Sequence, residues 1–319
     1  MRWSTTILLM VMASLPAVVN QAMGRRALEP ANLNPGIAHR SRAAQKKSGN
    51  VSANGLSFSY LEEGSGTPVV LVHGSVSDYR EWSAQMSPLA THYRVIAYSR
   101  RYHWPNSPPP KDVDASIERQ AEDLGAILKA MNLAPAHIVG HSFGGAVALY
   151  LTLRHPELVR TLILAEPAIT SILGTLPEND PVFRDSQAVR AEMKNVFATG
   201  DPERIVSTYA ARVAPGEFEH ATPDLRQMLL ANVAAFQLDF NSRRPTITCE
   251  DAQQVTVPVL VLHGERSPLG LRSIAETAAR CLKATKLIKI PQATHWMQHD
   301  QARAFNAAVL AFLDRQEKQ

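Results

Sequence analysis

Cysteine is scarce in this sequence, which has only two, Cys249 and Cys281, among its 319 residues. Two thiols far apart along the chain do not form the paired clusters that bind zinc or iron–sulfur centres. Both lie in segments that we expect to be helical, and a sequence does not reveal how close two such thiols come in space. We expect two buried free thiols, and the alternative is a disulfide if the protein is exported.

Nucleotide and metal motifs are also absent. The sequence contains no Gly-x-Gly-x-x-Gly, no Gly-Lys-Ser/Thr phosphate loop and no His-Glu-x-x-His, so we expect no cofactor and no metal. The formal net charge of +4 is misleading, because residues 1–50 carry seven Lys or Arg against one acid and the remainder is slightly acidic. We therefore expect the folded part to act on a small molecule and not on nucleic acid.

Long hydrophobic runs are missing as well. The apolar stretch from Ile7 to Val19 covers about 13 residues, and about 20 are needed to span a bilayer, so no stable membrane span is expected. A basic residue precedes this stretch and small residues follow it, which predicts a signal peptide over residues 1–24 and export, periplasmic or secreted. An uncleaved interfacial anchor or an organellar transit sequence is the alternative. Residues 25–49 are predicted to be a flexible linker.

A glycine-flanked serine is the most informative feature that is present. Ser142 lies in Gly140-His141-Ser142-Phe143-Gly144-Gly145, after the apolar run His137 to Val139 and before a stretch with helical character. A serine on a tight strand-to-helix turn projects its hydroxyl into open space, and the flanking glycines let the strand and the helix approach each other. The motif predicts a nucleophile, although such a string also arises by chance in an ordinary turn.

A second segment supplies the groups that an acyl-transfer site requires near its nucleophile. The strand Pro68 to Val72 ends in His73-Gly74 about 70 residues before the turn at Ser142. This is where an oxyanion loop belongs, a loop whose backbone stabilises the negative oxygen of the reaction intermediate. Backbone N–H groups stabilise the oxyanion of the tetrahedral intermediate in acyl transfer. We expect these N–H donors from Phe143 and from Ser75, with Val76 as the alternative to Ser75. His73 is interpreted as a structural histidine of this loop.

The expected general base follows the last strand. A serine hydroxyl is a weak nucleophile at neutral pH, and an imidazole can take its proton and later return it to the leaving group. His295 follows the strand Lys286 to Ile290 and precedes an amphipathic helix, so it is the expected base. His299 is interpreted as a surface or loop residue.

Taken together, these segments resemble the α/β-hydrolase superfamily over roughly residues 50 to 319. The resemblance rests on five segments, which occur in this order along the chain: Leu71 to Gly74, Arg94 to Arg101, Gly140 to Gly145, Val259 to Glu265, and His295. It implies an α/β fold with a mostly parallel sheet, helices on both faces and an inserted helical lid. The core is then expected at residues 50–167 and 254–319, with the lid at 168–253.

The carboxylate that commonly completes the family's triad is missing. In the commonest pattern an Asp stands three residues after the glycine that ends the seventh strand, and here that place holds Ser267. A base histidine needs a partner on its second nitrogen. Glu166, which ends the strand Thr161 to Ala165, is the preferred candidate because some superfamily members place the acid there. Glu265 is the alternative, and it could instead anchor its own loop.

Local patterns predict two further elements and a possible wall of the site. Asn54-Gly55 indicates a hairpin turn, and apolar residues from Ile117 to Met131 recur at helical spacing. Arg100 to Asn106 follows a strand near the expected pocket. Within it, His103 and Trp104 are candidate substrate contacts, against an alternative in which Trp104 packs under the lid and the arginines are solvated.

The function that this pattern favours is cofactor-independent serine hydrolysis of an ester, a lactone or a related acyl bond in a fairly hydrophobic small molecule. Perhydrolase, haloperoxidase-like or carbon–carbon bond hydrolase activity remains an alternative on the same triad. A ligand-binding protein on this fold is the rival from a different class, because the usual acid is absent. The oligomeric state is not predicted.

Overall fold

The computed structural model of the protein describes residues 46–110 and 113–318. The predicted signal peptide, residues 1–24, and most of the predicted linker lie outside the described residues. The linker prediction, residues 25–49, is wrong at its end, because the first strand begins at Lys47. Residues 47–49 pair with residues 60–62 of the next strand, so backbone hydrogen bonding orders them.

Eight strands form one sheet. They are β1 (Lys47–Ala53), β2 (Leu56–Gly64), β3 (Pro68–Val72), β4 (Arg94–Tyr98), β5 (Ala136–His141), β6 (Val159–Ala165), β7 (Val259–Gly264) and β8 (Thr285–Ile290). Their spatial order is β1-β2-β4-β3-β5-β6-β7-β8. The two pairs that involve β2 are antiparallel and the others are parallel. The predicted mostly parallel sheet is therefore confirmed.

The predicted hairpin joins β1 to β2. Asn54 and Gly55 both have positive φ angles, 47° and 75°, as a two-residue turn of the mirror-image type requires. Asn54 also donates from its side-chain amide to Asp123. The hairpin forms the antiparallel edge of the sheet.

Helices cover both faces of the sheet, and five of them lie in the segment between β6 and β7. The helices are α1 (Ser83–Ala90), α2 (Ile117–Ala130), α3 (Ser142–Arg154), α4 (Pro181–Phe197), α5 (Pro202–Val213), α6 (Pro223–Ala231), α7 (Val233–Asn241), α8 (Cys249–Ala252), α9 (Leu269–Cys281), α10 (Met297–Asp300) and α11 (Ala302–Gln316). We refer to α4 to α7 as the cap helices.

The buried side chains fall into three clusters. Along β3, Val70 and Val72 join the core under α2, α3 and α9, whereas Val69 and Leu71 join the core under α1 and α11. This alternation follows from the two-residue period of a strand whose two faces are both covered. A third cluster holds the cap helices together and includes Trp296 from the core. That contact brings the cap over the loop after β8.

The two cysteines correct the expectation of free thiols. Cys249 begins α8 and Cys281 ends α9, and the structure joins them in a disulfide with Cα atoms 5.0 Å apart. The sequence did not reveal this, because the packing of α8 against α9 is set by the tertiary fold. Within the described residues, no helix combines the length and the apolar character that a bilayer span requires.

Candidate active site

Ser142 occupies a strained turn between β5 and α3. Its φ angle is 51°, in the left-handed region that few non-glycine residues adopt. A Cβ on Gly140 would lie 2.6 Å from the Gly144 carbonyl oxygen, and a Cβ on Gly144 would lie 2.3 Å from the carbonyl oxygen of Val72. Only glycine fits at these two positions, so the motif is required by the close approach of strand, turn and helix.

His295 and Glu166 lie next to each other near this turn. Nδ1 of His295 is 2.6 Å from Oε2 of Glu166, and both side chains are almost completely buried. The other carboxylate oxygen of Glu166 accepts from the backbone N–H of Gly264 at 2.8 Å, which fixes the rotamer. Nε2 of His295 has no hydrogen-bond partner among the described residues. The imidazole is therefore oriented on one side and unengaged on the other.

Neither Ser267, at the place of the common acid, nor Glu265, the alternative acid, is hydrogen-bonded to this histidine in the structure. Ser267 is buried, but a serine hydroxyl carries no charge with which to stabilise an imidazolium. Glu265 instead bonds to Lys289 and to the backbone N–H of Gln292, each at 3.0 Å. The Gln292 N–H and the Lys289 ammonium lower the pKa of Glu265. Glu265 thus anchors the turn after β8.

Ser142 and His295 line the same small cavity of about 20 Å³, which we call the inner chamber. This volume holds about one water molecule. Other lining residues come from the oxyanion loop, the cap and the segment after β8, and include Ser75, Val76, Tyr209, Met228 and Trp296. Burial raises the pKa of Tyr209 to about 12, with Arg244 and the neighbouring Ser142 hydroxyl opposing that shift. Tyr209 is therefore a neutral hydroxyl at physiological pH.

A larger cavity of about 620 Å³, the outer cavity, lies next to the inner chamber. The two share Leu225, Met228, Trp296 and His299 as a common wall. His299 was interpreted as a surface or loop residue, but it lies in α10 and is half-buried in this wall. A ligand that reaches Ser142 from the outer cavity must pass these four side chains.

Two buried charged side chains support the loop after β3. The Arg100 guanidinium donates to the carbonyl oxygens of His73 and Gly74, at 3.0 and 2.8 Å. Oε2 of Glu81 accepts from the N–H of Gly74 at 3.1 Å. These bonds fix the backbone that carries Ser75 and Val76, the residues expected to supply an oxyanion donor. The second expected donor, the N–H of Phe143, lies at the N-terminus of α3, where helical amides lack intrahelical acceptors.

The structure does not bring His103 or Trp104 to the inner chamber. His103 is fully buried, with Nδ1 2.6 Å from the Ser77 carbonyl oxygen and Nε2 3.3 Å from Asp239. Trp104 is 40% exposed, and Arg80 stacks on its ring with Cζ 3.8 Å from the ring centroid. Both side chains thus connect the loop after β4 to neighbouring segments, His103 to Ser77 and Asp239, and Trp104 to Arg80.

The arginines of the same loop are buried and paired, and the alternative in which they are solvated is wrong. Arg100 bonds to Asp239 of α7 at 2.7 Å, and Arg101 bonds to Asp123 of α2 at 2.6 Å. Arg100 therefore links a cap helix to the oxyanion loop. Arg100 and Asp239 are 139 residues apart, so their pairing was not visible in the sequence.

A second buried histidine–carboxylate pair lies beside the first, and the sequence reasoning missed it. Nδ1 of His141 is 3.0 Å from Oε1 of Glu81, and Nε2 of His141 is 2.9 Å from the main-chain oxygen of His295. The rings of His141 and His295 have centroids 4.6 Å apart. In the sequence, only the position of His141 directly before Ser142 could have indicated that it lies at the site.

The comparisons with known proteins show the family. The model of the α/β hydrolase fold family matches residues 67–302, so the chain belongs to this family. A relative from Mus musculus, named sn-1-specific diacylglycerol lipase ABHD11, is 26% identical, and the match covers 86% of this chain and 90% of that protein. The 2-hydroxymuconate semialdehyde hydrolase of Pseudomonas sp. (strain CF600) is 27% identical over 82% of this chain and 92% of its own.

A solved structure agrees with this assignment. It is described as a serine hydrolase involved in carbazole degradation, the CarC enzyme, and superposes with a TM-score of 0.60 at 27% identity. The superposition covers 85% of this chain and 99% of that one. The two relatives and the solved structure described above are named as hydrolases or a lipase, and each is matched over most of its length.

Proposed function

We propose that the protein is a serine hydrolase that cleaves an ester, a lactone or a related acyl bond through an acyl-enzyme. The observation that carries the proposal is the arrangement around His295. Its Nδ1 is bonded to Glu166, its Nε2 is unengaged, and it shares the inner chamber with the strained Ser142. This arrangement is what a serine nucleophile and its base require.

In the proposed reaction, Nε2 of His295 accepts the proton of the Ser142 hydroxyl as the oxygen attacks the acyl carbon. Glu166 stabilises the imidazolium and keeps the imidazole in the required tautomer. The N–H groups of Phe143 and of Ser75 or Val76 stabilise the oxyanion. His295 then gives its proton to the leaving group, and water repeats the sequence to release the acid.

The composition of the two cavities supports an uncharged and fairly hydrophobic acyl group. The cap contributes only uncharged side chains to the inner chamber, Tyr209, Leu225, Met228 and Leu229, whereas the chamber's other polar lining residues come from the core. The outer cavity includes the acidic residues Glu217, Asp224 and Asp300. The substrate's reacting end is thus expected against the uncharged cap side of the inner chamber, with the remainder in the outer cavity.

Carbon–carbon bond hydrolysis is the second candidate. The same three side chains support it, and the relative at 27% identity is named a semialdehyde hydrolase.

We also propose that the protein is exported, because the disulfide between Cys249 and Cys281 favours an oxidising compartment.

A fluorophosphonate probe tests the proposed nucleophile and separates an enzyme from a binding protein. The wild type is expected to lose hydrolysis of short aryl esters as it is labelled, and Ser142→Ala is expected to take no label. Ser87→Ala, which removes an exposed serine on α1, is the control and is expected to be labelled like the wild type. An unlabelled, folded wild type would overturn the proposal. A panel of esters of graded length, lactones and amides would then define the substrate class.

A further inference from the structure

Beside the proposed triad lies a second buried pair, Glu81 and His141, to which the reaction above assigns no role. Both side chains are 4% exposed or less and lie in the wall of the inner chamber. The pair is part of a chain of hydrogen bonds. It runs from the N–H of Gly74 through Glu81 and His141 to the main-chain oxygen of His295. The pair thus connects the oxyanion loop to the loop that carries the base.

The hydrogen-bond partners of His141 fit a protonated imidazole. A protonated ring donates from both nitrogens, and both face acceptors, Oε1 of Glu81 and the carbonyl oxygen of His295. The structure places the amide nitrogen Nε2 of Gln298 3.1 Å from Nδ1 of His141. A protonated His141 requires the opposite orientation of this amide, with its oxygen toward Nδ1, and the assignment of oxygen and nitrogen in a side-chain amide follows from the hydrogen-bond network. Oε1 of Gln298 is otherwise a buried oxygen without a partner among the described residues.

Space at this pair is reserved by a glycine. A Cβ on Gly74 would lie 2.9 Å from Nδ1 of His141 and 3.4 Å from Cβ of Ser142. A side chain at position 74 would therefore push His141 away from Glu81. The oxyanion loop can pack against the second pair only because residue 74 has no side chain.

We propose that Glu81 and His141 are positioning residues for the reaction, in which the buried His141 imidazolium keeps the adjacent His295 in its neutral, proton-accepting form while Glu81 holds the oxyanion loop. The inference rests on the proposed role of His295 as the base. A positive charge beside an imidazole disfavours protonation of that imidazole. The second pair therefore extends the pH range over which His295 can accept a proton toward lower pH.

The groups that face His295 act on its pKa in both directions, and the net effect lowers it. Burial lowers the pKa of His295, and the positive charge of His141 lowers it further, while Glu166 and Glu81 act in the opposite sense. Burial alone would also lower the pKa of His141, but the Glu81 carboxylate, together with Glu166 and the His295 carbonyl oxygen, outweighs burial and the pKa is raised. Burial lowers the pKa of His299 on α10, so that side chain is mainly neutral at physiological pH.

The test is the rate of fluorophosphonate labelling as a function of pH in His141→Gln and Glu81→Gln. His295 must be neutral to act, so the labelling rate rises with pH through its pKa. Removing His141 shifts this rise to higher pH. Glu81→Gln shifts it in the same direction but less, because it neutralises His141 and also removes an attractive carboxylate. A loss by the same factor at every pH would indicate a purely structural role and would overturn the inference.

A matched control is available on the same strand. His137 is also buried on β5 with a glutamate partner, Glu317 at 3.0 Å, but it lies at the opposite end of the strand from Ser142. His137→Gln and Glu317→Gln are expected to leave the pH of the rise unchanged. A shift of equal size in these variants would show a general response to the loss of a buried histidine and would also overturn the inference.

A direct NMR titration of the His295 imidazole, in wild type, His141→Gln and His137→Gln, separates this inference from the proposed function. An unlabelled wild type would end the serine mechanism, and the titration would still decide whether His141 shifts His295. An unchanged His295 titration in His141→Gln overturns the inference even if labelling is normal. If His141→Gln does not fold, the Glu81→Gln titration decides in its place.

Discussion

The carboxylate of Glu166 lies 2.6 Å from Nδ1 of His295, although the two residues are 129 positions apart in the sequence. Glu166 follows β6, and His295 lies in the loop after β8. The parallel strands β6 and β8 end at the same edge of the sheet, and β7 lies between them. Oε1 of Glu166 accepts from the N–H of Gly264 at the end of β7. One carboxylate thus bridges three adjacent strand ends and orients the imidazole.

Replacing this carboxylate is expected to reduce turnover with the fold retained. Glu166→Gln keeps the size of the side chain but favours the wrong tautomer of His295, so kcat should fall by about 10³–10⁴-fold. Glu265→Gln is the matched control, because Glu265 only anchors the turn after β8. Steady-state kinetics on one ester, with circular dichroism to check folding, measures both. A larger loss in Glu265→Gln would refute the assignment of the acid.

The size of the inner chamber is expected to depend on Met228. Its side chain lies in the wall between the two cavities. Met228→Ala should therefore raise kcat/KM for longer acyl chains relative to acetyl esters, by about fourfold for each methylene that becomes buried. Leu230→Ala is the control, since Leu230 lines a separate surface depression on α6. An unchanged chain-length profile in Met228→Ala would show that acyl groups bind elsewhere.

Stability in acid is expected to depend on the buried pair of Arg100 and Asp239. Although burial opposes ionisation, Arg100 and His103 hold the pKa of Asp239 at about 2, below its ordinary value of 3.8. A lowered pKa stabilises the folded state at pH values above 3.8, and this contribution is lost as the pH falls toward 2. Asp239→Asn leaves Arg100 buried and unpaired, so it should cost about 3–5 kcal/mol at neutral pH.

Chemical denaturation at several pH values measures this effect. The difference in unfolding free energy between wild type and Asp239→Asn should be constant near neutral pH and should narrow between pH 3.8 and about 2. Glu203→Gln is the control, because the Arg226–Glu203 pair is exposed and such pairs contribute about 0–1 kcal/mol. A difference that widens in acid would contradict the sign of this argument.

The disulfide is expected to stabilise the packing of α8 against α9. Cys249→Ala/Cys281→Ala should lower the unfolding free energy by about 2–4 kcal/mol, with activity retained because neither residue lines the inner chamber. Thiol alkylation of the denatured protein, with and without reductant, followed by mass spectrometry, checks the bond itself. Two alkylated thiols in the non-reduced protein would restore the expectation of free cysteines.

Features set by local sequence could be predicted, whereas those set by tertiary packing could not. Asn54-Gly55 specifies its turn by its own backbone preference, and the glycines around Ser142 are required by a strand-turn-helix unit that is contiguous in sequence. By contrast, Arg100 and Asp239 meet only when α7 packs over the loop after β4. Two charged residues in separate segments give no periodic signal, so their burial as a pair was not foreseen.

The residues around the base illustrate the same division. His295 was identifiable because a family resemblance fixes its place after the last strand, and Glu166 because it follows an apolar strand directly. Glu81 lies in a short 3₁₀ turn, Tyr79–Trp82, where a glutamate looks like an ordinary surface charge. Only the fold shows that it is buried against His141.

The most direct test of the central claim is the mass of the protein during turnover of an activated ester. Rapid acid quenching followed by peptide mapping is expected to find one acyl group on the peptide that contains Ser142, and none in Ser142→Ala. His295→Ala should acquire the acyl group much more slowly than the wild type, because it lacks the base that activates Ser142. An active wild type that hydrolyses the ester without ever carrying an acyl group, or that carries it on another residue, would contradict the proposed mechanism.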